Sequence, residues 1–173
     1  MSTDPRIAAE LARLAGASDQ RLLEYDRASA GRRRQWYREQ FADRPVAGRD
    51  PLEHAYRLLL ARLAIGEEEA PIVERGPDRL VFHSRNFCPT LEACRILDLD
   101  TRRVCRLYNE GATGELLRQV DPRLVFRRNY EKLRPHAAYC EEIIELPPTG
   151  TASAGAAGWT GTPAPQPPRP AGN

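Results

Sequence analysis

The residues of this chain best suited to chemistry are its four cysteines. They follow the spacing C-x5-C-x10-C-x34-C between positions 88 and 140, and no other cysteine is present. A zinc ribbon carries paired C-x2-C ligands, so this dispersed spacing is not that of a local zinc motif. Thiolates from separate helices and strands can still converge on a tetrahedral zinc ion or an iron–sulfur cluster. We therefore predict a tertiary metal site, with zinc preferred over an iron–sulfur cluster, whose ligands are Cys88, Cys94, Cys105 and Cys140.

Cys88 has the local sequence of a reactive thiol. It precedes Pro89, and because proline favours the first position of a helix, the sulfur is predicted at a helix N-terminus. The positive end of the helix dipole lowers the pKa of a thiol there and makes the thiolate available to a metal or an electrophile. The alternative is a buried cysteine that acts as a small apolar side chain.

A thiol-dependent hydrolase is a second interpretation of the same region. Cys88 would be the nucleophile, with His83 or His136 as its base. Arg128 and Arg134 are candidates for holding a substrate carboxylate, because a guanidinium binds a carboxylate through two parallel hydrogen bonds. The alternative for both histidines is a solvated position at a loop edge. The sequence leaves open whether the protein is an enzyme.

The other cysteines each allow a ligand role and a packing role. Cys140 and Glu142 are predicted on one face of the last strand, because side chains alternate along a strand. Together they would form a sulfur and oxygen ligand pair, although apolar residues share that face and make it equally compatible with a core position. Cys94 and Cys105 lie on apolar faces of predicted helices, where packing is the alternative.

An arginine run beside two aromatic residues raises a third interpretation, RNA binding. Three arginines at positions 32–34 precede Trp36 and Tyr37, and basic residues interleaved with aromatic rings are typical of single-stranded nucleic-acid platforms. The alternative is a helix with its aromatic face inward and its arginines in solvent. Lys132 is the only lysine among 26 basic residues, a bias that accompanies GC-rich genomes. The net charge of +2 does not by itself indicate a nucleic-acid partner.

The elements that position these residues are predicted from proline caps, glycine stops and hydrophobic periodicity. Helices are predicted at 6–15, from 19 to 41 with or without a break at Gly31, at 52–65, 90–97, 102–110 (ended by Gly111) and 113–120. Strands are predicted at 72–75, 79–83, 124–130 and 138–146. This order predicts an α+β fold, with N-terminal helices followed by a small antiparallel sheet with short helices.

Composition divides the chain into three parts: an N-terminal helical region (1–49), a cysteine-containing α+β domain (50–146) and a Pro/Gly/Ala-rich tail (147–173). The tail has too few apolar residues to offset its ordering entropy, so it is predicted to be disordered. No long apolar run or signal peptide is present, which predicts a cytoplasmic protein without a membrane partner. Such a reducing compartment favours free thiols over disulfides.

Several common signatures are missing from the sequence. It contains no G-x-x-x-x-G-K-[ST], no G-x-G-x-x-G and no G-x-S-x-G, which are the usual marks of nucleotide-binding loops and of serine hydrolases. The H-x-E…P-C-x-x-C pattern of zinc deaminases is also missing. Any site must therefore be assembled by the fold.

Short segments of the second half carry a resemblance to known proteins. They are the strand and Cys-Pro pair at 81–89, Val104-Cys105, the segment 122–128 and Tyr139-Cys140-Glu141, all within residues 52–146. This layout resembles small bacterial cysteine-containing families grouped around the L-2-amino-thiazoline-4-carboxylic acid hydrolase-like proteins and the 4-vinyl reductase domain.

The resemblance implies an α+β fold that binds a small molecule. In the 4-vinyl reductase type it implies zinc held by cysteines and an acid, and in the hydrolase-like type it implies opening of a thiazoline ring. Two departures, Glu141 in place of aspartate and the additional Cys94, bear on hydrolase activity more than on the fold. We therefore predict a small-molecule-binding module with a cysteine-built metal site, and keep the hydrolase and the RNA-associated protein as alternatives.

Overall fold

The computed structural model describes residues 4–41, Asp43, Gly48 and 50–148. In chain order its elements are α1 (Pro5–Leu14), α2 (Asp19–Phe41), α3 (Pro51–Leu63), β1 (Ile72–Arg75), β2 (Arg79–Ser84), α4 (Pro89–Leu97), α5 (Thr101–Tyr108), α6 (Glu110–Leu117), β3 (Val125–Arg128) and β4 (Cys140–Glu145). The strands form one antiparallel sheet in the order β1-β2-β4-β3. The predicted α+β class, with helices first, is confirmed.

Two of the predicted segments, a loop and the C-terminal tail, lie mostly or wholly outside the residues that the structure describes. The tail from residue 149 onward and most of the predicted loop at 44–48 lie outside the described residues. Within the described residues, no helix combines the length and the apolar character needed to cross a membrane.

Two helices begin as their Asp-Pro pairs predict. The Asp4 carboxylate accepts a hydrogen bond from the backbone N–H of Arg6 at 2.8 Å, and Asp50 accepts one from the N–H of Glu53 at 2.9 Å. A proline follows each cap at the first helical position, where its missing N–H leaves no hydrogen bond unmade. These caps satisfy backbone donors that α1 and α3 would otherwise leave free.

Two glycines lie inside helices. The helix α2 runs through Gly31 without a break, which is one of the two predicted possibilities, whereas α6 begins before Gly111, which was predicted to end α5. A Cβ at Gly111 would lie 2.3 Å from Asp26 Oδ2 on α2. The other oxygen of Asp26 accepts a hydrogen bond from the N–H of Ala112 at 2.9 Å. Gly111 therefore allows α2 to place a carboxylate against the first turn of α6.

Two apolar cores hold the elements together. In the first, α3 packs on the sheet, where Tyr56 meets Phe82 edge to face at 5.3 Å and donates a hydrogen bond to the Ala70 carbonyl at 2.8 Å. In the second, Leu14 and Leu22 pack against residues of α4 and α5. Each fully buried leucine contributes about 1.5–3 kcal/mol. Because α1 contacts α4 and α2 contacts α5 and α6, the N-terminal helices pack directly on the cysteine-containing part.

The sheet has two chemically different faces. Register places Ser84 opposite Cys140, and Arg128 opposite Glu142. Since side chains alternate along each strand, these four residues share one face, called here the inner face. His83 and Glu141, which pair with each other, lie on the other face, called here the outer face. The sequence prediction that Cys140 and Glu142 share a face is confirmed.

Candidate functional site

Three of the four cysteines line one cavity at the end of the sheet, called here the thiol-lined cavity. Cys88 caps the N-terminus of α4, Cys105 lies on α5, and Cys140 begins β4. The cavity has a volume of about 110 Å³. Its polar lining consists of Ser84, Asn86, Thr90, Asn109, Arg128, Arg134 and Glu142.

A buried ion pair forms one wall of this cavity. Arg128 Nε donates to Glu142 Oε1 at 3.0 Å, and the two side chains are 9% and 8% exposed. Ser84 Oγ donates to the second carboxylate oxygen of Glu142 at 3.0 Å, and Arg128 Nη2 donates to Asn109 Oδ1 at 2.9 Å. Both carboxylate oxygens are therefore held by protein donors.

One nitrogen of the Arg128 guanidinium takes no part in this hydrogen-bond network. Arg128 Nη1 is buried and has no hydrogen-bond partner among the described residues. A buried donor without an acceptor is rare, because it loses its water without gaining a bond. Burial alone would lower the pKa of Arg128, but the surrounding groups, with the Glu142 carboxylate foremost among them, together raise that pKa above its ordinary value. Arg128 is thus a permanent buried cation with an unused donor.

Arg134 contributes a second guanidinium to the cavity lining. Its Nη1 donates to the Asn86 carbonyl at 2.9 Å, which ties the β3–β4 connection to the segment before α4. Its Nε lies 3.5 Å from Cys140 Sγ, within hydrogen-bond distance for sulfur. The two arginines predicted to hold a carboxylate, Arg128 and Arg134, therefore line the same cavity.

The Cys88 thiol does not have the lowered pKa that its helix position predicts. Burial raises the pKa of Cys88, and the opposing influences of the Leu91 amide and the Arg134 guanidinium are smaller. Burial also raises the pKa of Cys105 to about 12. The expected effect of the helix dipole is outweighed because a thiolate taken out of water loses its hydration. Cys88 and Cys105 are consequently neutral thiols near pH 7.

Cys94 does not line the thiol-lined cavity. It is 1% exposed and packs in the second core against Leu14 and Val104, and burial raises its pKa to about 12. Among the described residues, no three His, Cys, Asp or Glu side chains are arranged to hold a metal ion. The lining also carries Arg128 and Arg134, which would repel a cation. The structure therefore brings three of the four predicted ligands to one cavity and places Cys94 in a core, and metal binding stays a prediction.

The two histidines predicted as bases are not brought to Cys88. His83 lies on the outer face, where its ring stacks on Tyr139 at 3.7 Å and its Nε2 lies 3.1 Å from Glu141 Oε2. His136 is exposed and lines a separate, open depression beside Cys94. Neither lines the thiol-lined cavity. A cysteine–histidine catalytic pair is therefore not assembled around Cys88.

Several polar residues of the cavity were missed by sequence reasoning. Ser84, Asn109 and Thr90 were not predicted as site residues, and Glu142 was predicted only as a partner of Cys140. One usable signal exists. Ser84 and Arg128 are polar residues on strand faces whose preceding same-face positions, Phe82 and Phe126, are buried and apolar. In this chain, the positions where the apolar strand face ends border the cavity.

The arginine run does not form a continuous basic surface. Arg33 Nη1 donates to Thr113 Oγ1 at 2.7 Å, and Arg34 Nη1 lies 3.2 Å from Glu115 Oε2. Trp36 packs edge to face on Phe41 within the same helix, with ring centroids 5.4 Å apart. Two of the arginines thus contact α6, and the aromatic rings contact each other. RNA binding stays a prediction.

Comparison with known proteins gives no relative for this chain. No protein-family model, no curated protein and no solved structure matches it. The resemblance to the thiazoline-carboxylate hydrolase-like and 4-vinyl reductase families therefore stays a prediction.

Proposed function

We propose that the thiol-lined cavity binds a small molecule that carries a carboxylate. The observation that carries this proposal is Arg128 Nη1, a buried cationic donor without an acceptor in the wall of a cavity. A ligand oxygen would give this N–H the acceptor that the described residues do not provide. Charge-assisted hydrogen bonds of this kind are about twice as strong as neutral ones.

The charge of the lining favours an anion. Arg128 and Arg134 contribute two cations, whereas Glu142 is the one acidic side chain among the lining residues. The Glu142 oxygens are already bound by Arg128 and Ser84, so they have little remaining capacity for a ligand cation. A carboxylate is preferred because the cavity is small, at about 110 Å³, and because a planar guanidinium matches a planar carboxylate.

The three thiols would form the less polar part of the binding surface. Neutral cysteine side chains behave as small polarizable apolar groups, which suits a compact ring or a sulfur-containing ligand. Hydrolysis with Cys88 as nucleophile stays the alternative function. It requires a base at the cavity, and Glu142, the acid available there, is engaged by Arg128.

A pair of ligands and a pair of variants test the carboxylate proposal. Isothermal titration calorimetry of the full chain with 2-amino-2-thiazoline-4-carboxylate should show saturable binding, whereas 2-amino-2-thiazoline, which lacks the carboxylate, should not bind. Arg128→Lys keeps the charge beside Glu142 but removes the planar donor set, and should weaken binding about tenfold or more.

Arg127→Lys is the matched control. Arg127 is the neighbouring residue, lies on the outer face and pairs with Glu145 at 3.1 Å. It should bind the carboxylate like the unmodified protein. Equal binding of both ligands, or equal weakening in both variants, would contradict the proposal.

Metal binding is a second candidate, favoured by one observation, that three of the four predicted ligands line one cavity. All four cysteines are free, as suits a reducing compartment such as the cytoplasm. Elemental analysis of protein purified without oxygen tests it. About one zinc per chain, or a brown iron–sulfur protein, lost in Cys88→Ser and Cys140→Ser but kept in the control Cys94→Ser, would support a metal site. Colourless, metal-free protein would rule it out.

A further inference from the structure

A second cavity, strongly cationic, lies beside the thiol-lined cavity. It has a volume of about 270 Å³, and Thr90 and Asn109 line both cavities. Four arginines contribute to its lining, and it is called here the arginine cleft. They are Arg13, Arg32, Arg33 and Arg62.

Three helices bring these arginines together. Ser29, Arg32 and Arg33 are spaced three and four residues apart on α2, so they share one side of the helix. Arg62 comes from the last turn of α3, where its guanidinium lies 5.4 Å from the centre of the Trp36 ring. Arg13 comes from α1. The convergence is therefore a product of the fold rather than of the arginine run alone.

The acidic residue of the lining neutralises only one of these cations. Glu10 is 8% exposed and accepts hydrogen bonds from Arg13 at 2.6 Å, from Thr90 at 2.9 Å and from Tyr108 at 3.0 Å. Among the described residues, Arg32, Arg33 and Arg62 form no ion pair with a carboxylate. Within the described part of the chain, these three guanidinium groups of the cleft therefore have no carboxylate at ion-pair distance.

The environment of Arg33 indicates that the positively charged guanidinium groups in and beside the cleft repel one another. Burial lowers the pKa of Arg33 to about 10, and the Arg62 and Arg128 cations act in the same direction. The carboxylates of Asp26 and Glu142 act against them without reversing the shift. A multivalent anion placed in the cleft would relieve this repulsion, because an opposite charge favours the charged form of each guanidinium.

We infer that the arginine cleft binds a tetrahedral oxyanion, namely the phosphate group of a small phosphorylated molecule or free phosphate. Arg32, Arg33 and Arg62 surround the cleft from two helices, which suits an anion with acceptors in several directions better than a planar carboxylate. A phosphate monoester carries a charge of about −1.5 to −2 at neutral pH, enough to balance most of the unpaired positive charge. This inference does not rest on carboxylate binding in the thiol-lined cavity.

Calorimetric titration of the full chain with inorganic phosphate, and separately with glycerol 3-phosphate, tests the inference at constant ionic strength set with chloride. Arg32→Gln and Arg62→Gln should each weaken binding about tenfold, since each removes a charge-assisted contact. Arg38→Gln is the matched control, because Arg38 is exposed and lies six residues beyond Arg32 on the same helix. It should bind like the unmodified protein.

The two probes separate the sources of the anion. Tighter binding of glycerol 3-phosphate would identify the phosphate as part of a larger molecule, and equal binding would identify free phosphate; both support the site. No saturable binding of either probe at millimolar concentration would overturn the inference. It would also be overturned by equal loss in Arg38→Gln, or by binding of an RNA oligonucleotide without binding of either small probe.

Discussion

Two neighbouring carboxylates on β4 show how differently the two faces of the sheet are built. On the outer face, Glu141 accepts hydrogen bonds from Asn129 at 2.9 Å and Lys132 at 3.0 Å, and lies 3.1 Å from His83 Nε2. On the inner face, Glu142 is held by Arg128 and Ser84, but one nitrogen of the Arg128 guanidinium has no hydrogen-bond partner in the part of the chain that the structure describes.

The difference separates a structural network from a binding network. Around Glu141 both carboxylate oxygens accept hydrogen bonds from protein donors, and the hydrogen bond from Asn129 is the largest cause that lowers the pKa of Glu141 to about 2. Around Glu142 the buried donor Arg128 Nη1 has no acceptor among the described residues and lies beside a cavity. A network with such a donor gains free energy when a ligand supplies the acceptor.

The inner-face pair should give the largest loss of stability when it is broken. Arg128→Met leaves the Glu142 carboxylate buried without its cation and should lower the free energy of unfolding by about 3–5 kcal/mol. Urea unfolding followed by circular dichroism measures this. The double variant Arg128→Met/Glu142→Leu removes both charges and should recover most of the loss. A loss below about 1 kcal/mol in the single variant would mean that the pair is not buried as described.

The outer-face network should give a smaller, pH-dependent loss. The pKa of Glu141 is about 2 in the folded chain, below the ordinary glutamate value of 4.5. The unfolded chain therefore binds more protons between these values, so this stabilisation is present above about pH 4.5 and disappears as the pH falls toward about 2.

Glu141→Gln should consequently cost about 1–2 kcal/mol at pH 7. Urea unfolding at pH 7 and at pH 2.5 would show the difference between variant and unmodified protein shrinking at the lower pH. A difference that is independent of pH would show that packing, and not the charge of Glu141, stabilises this face.

Two cysteine variants extend the comparison to a packed core and a cavity wall, where we expect the smallest losses of stability. Cys94→Ala removes a sulfur from a packed core and should cost about 1–2 kcal/mol. Cys105→Ala, at the cavity wall, should cost less than about 0.5 kcal/mol, because no close-packed volume is emptied. Thermal unfolding of the two variants side by side measures both. Equal losses would indicate that the cavity is as tightly packed as the core.

Local signals predicted much of the fold. The Asp-Pro caps of α1 and α3 are read directly from sequence, and alternation correctly places Cys140 and Glu142 on one face. These features depend on neighbouring residues only, which is why sequence patterns capture them.

The remaining features depend on tertiary packing. The approach of Asp26 to Gly111 joins residues from two helices, so a glycine that resembles a helix stop lies inside α6. The burial that raises the pKa of Cys88 comes from the surrounding fold and outweighs its helix position. Similarly, the sequence places Cys94 on an apolar helix face whether it is a metal ligand or a core residue. Only the packing of α1 against α4 shows that it lies in a core.

The most direct measurement is the side-chain nitrogen spectrum of the full chain labelled with 15N-arginine, recorded with increasing 2-amino-2-thiazoline-4-carboxylate. Resonances assigned by Arg128→Lys and Arg127→Lys distinguish the two neighbours on β3. If the cavity binds a carboxylate through the unpaired nitrogen, the Arg128 guanidinium signals shift saturably while those of Arg127 stay in place. Unchanged Arg128 signals at saturating probe, or equal shifts of both arginines, would contradict a carboxylate site on the inner face.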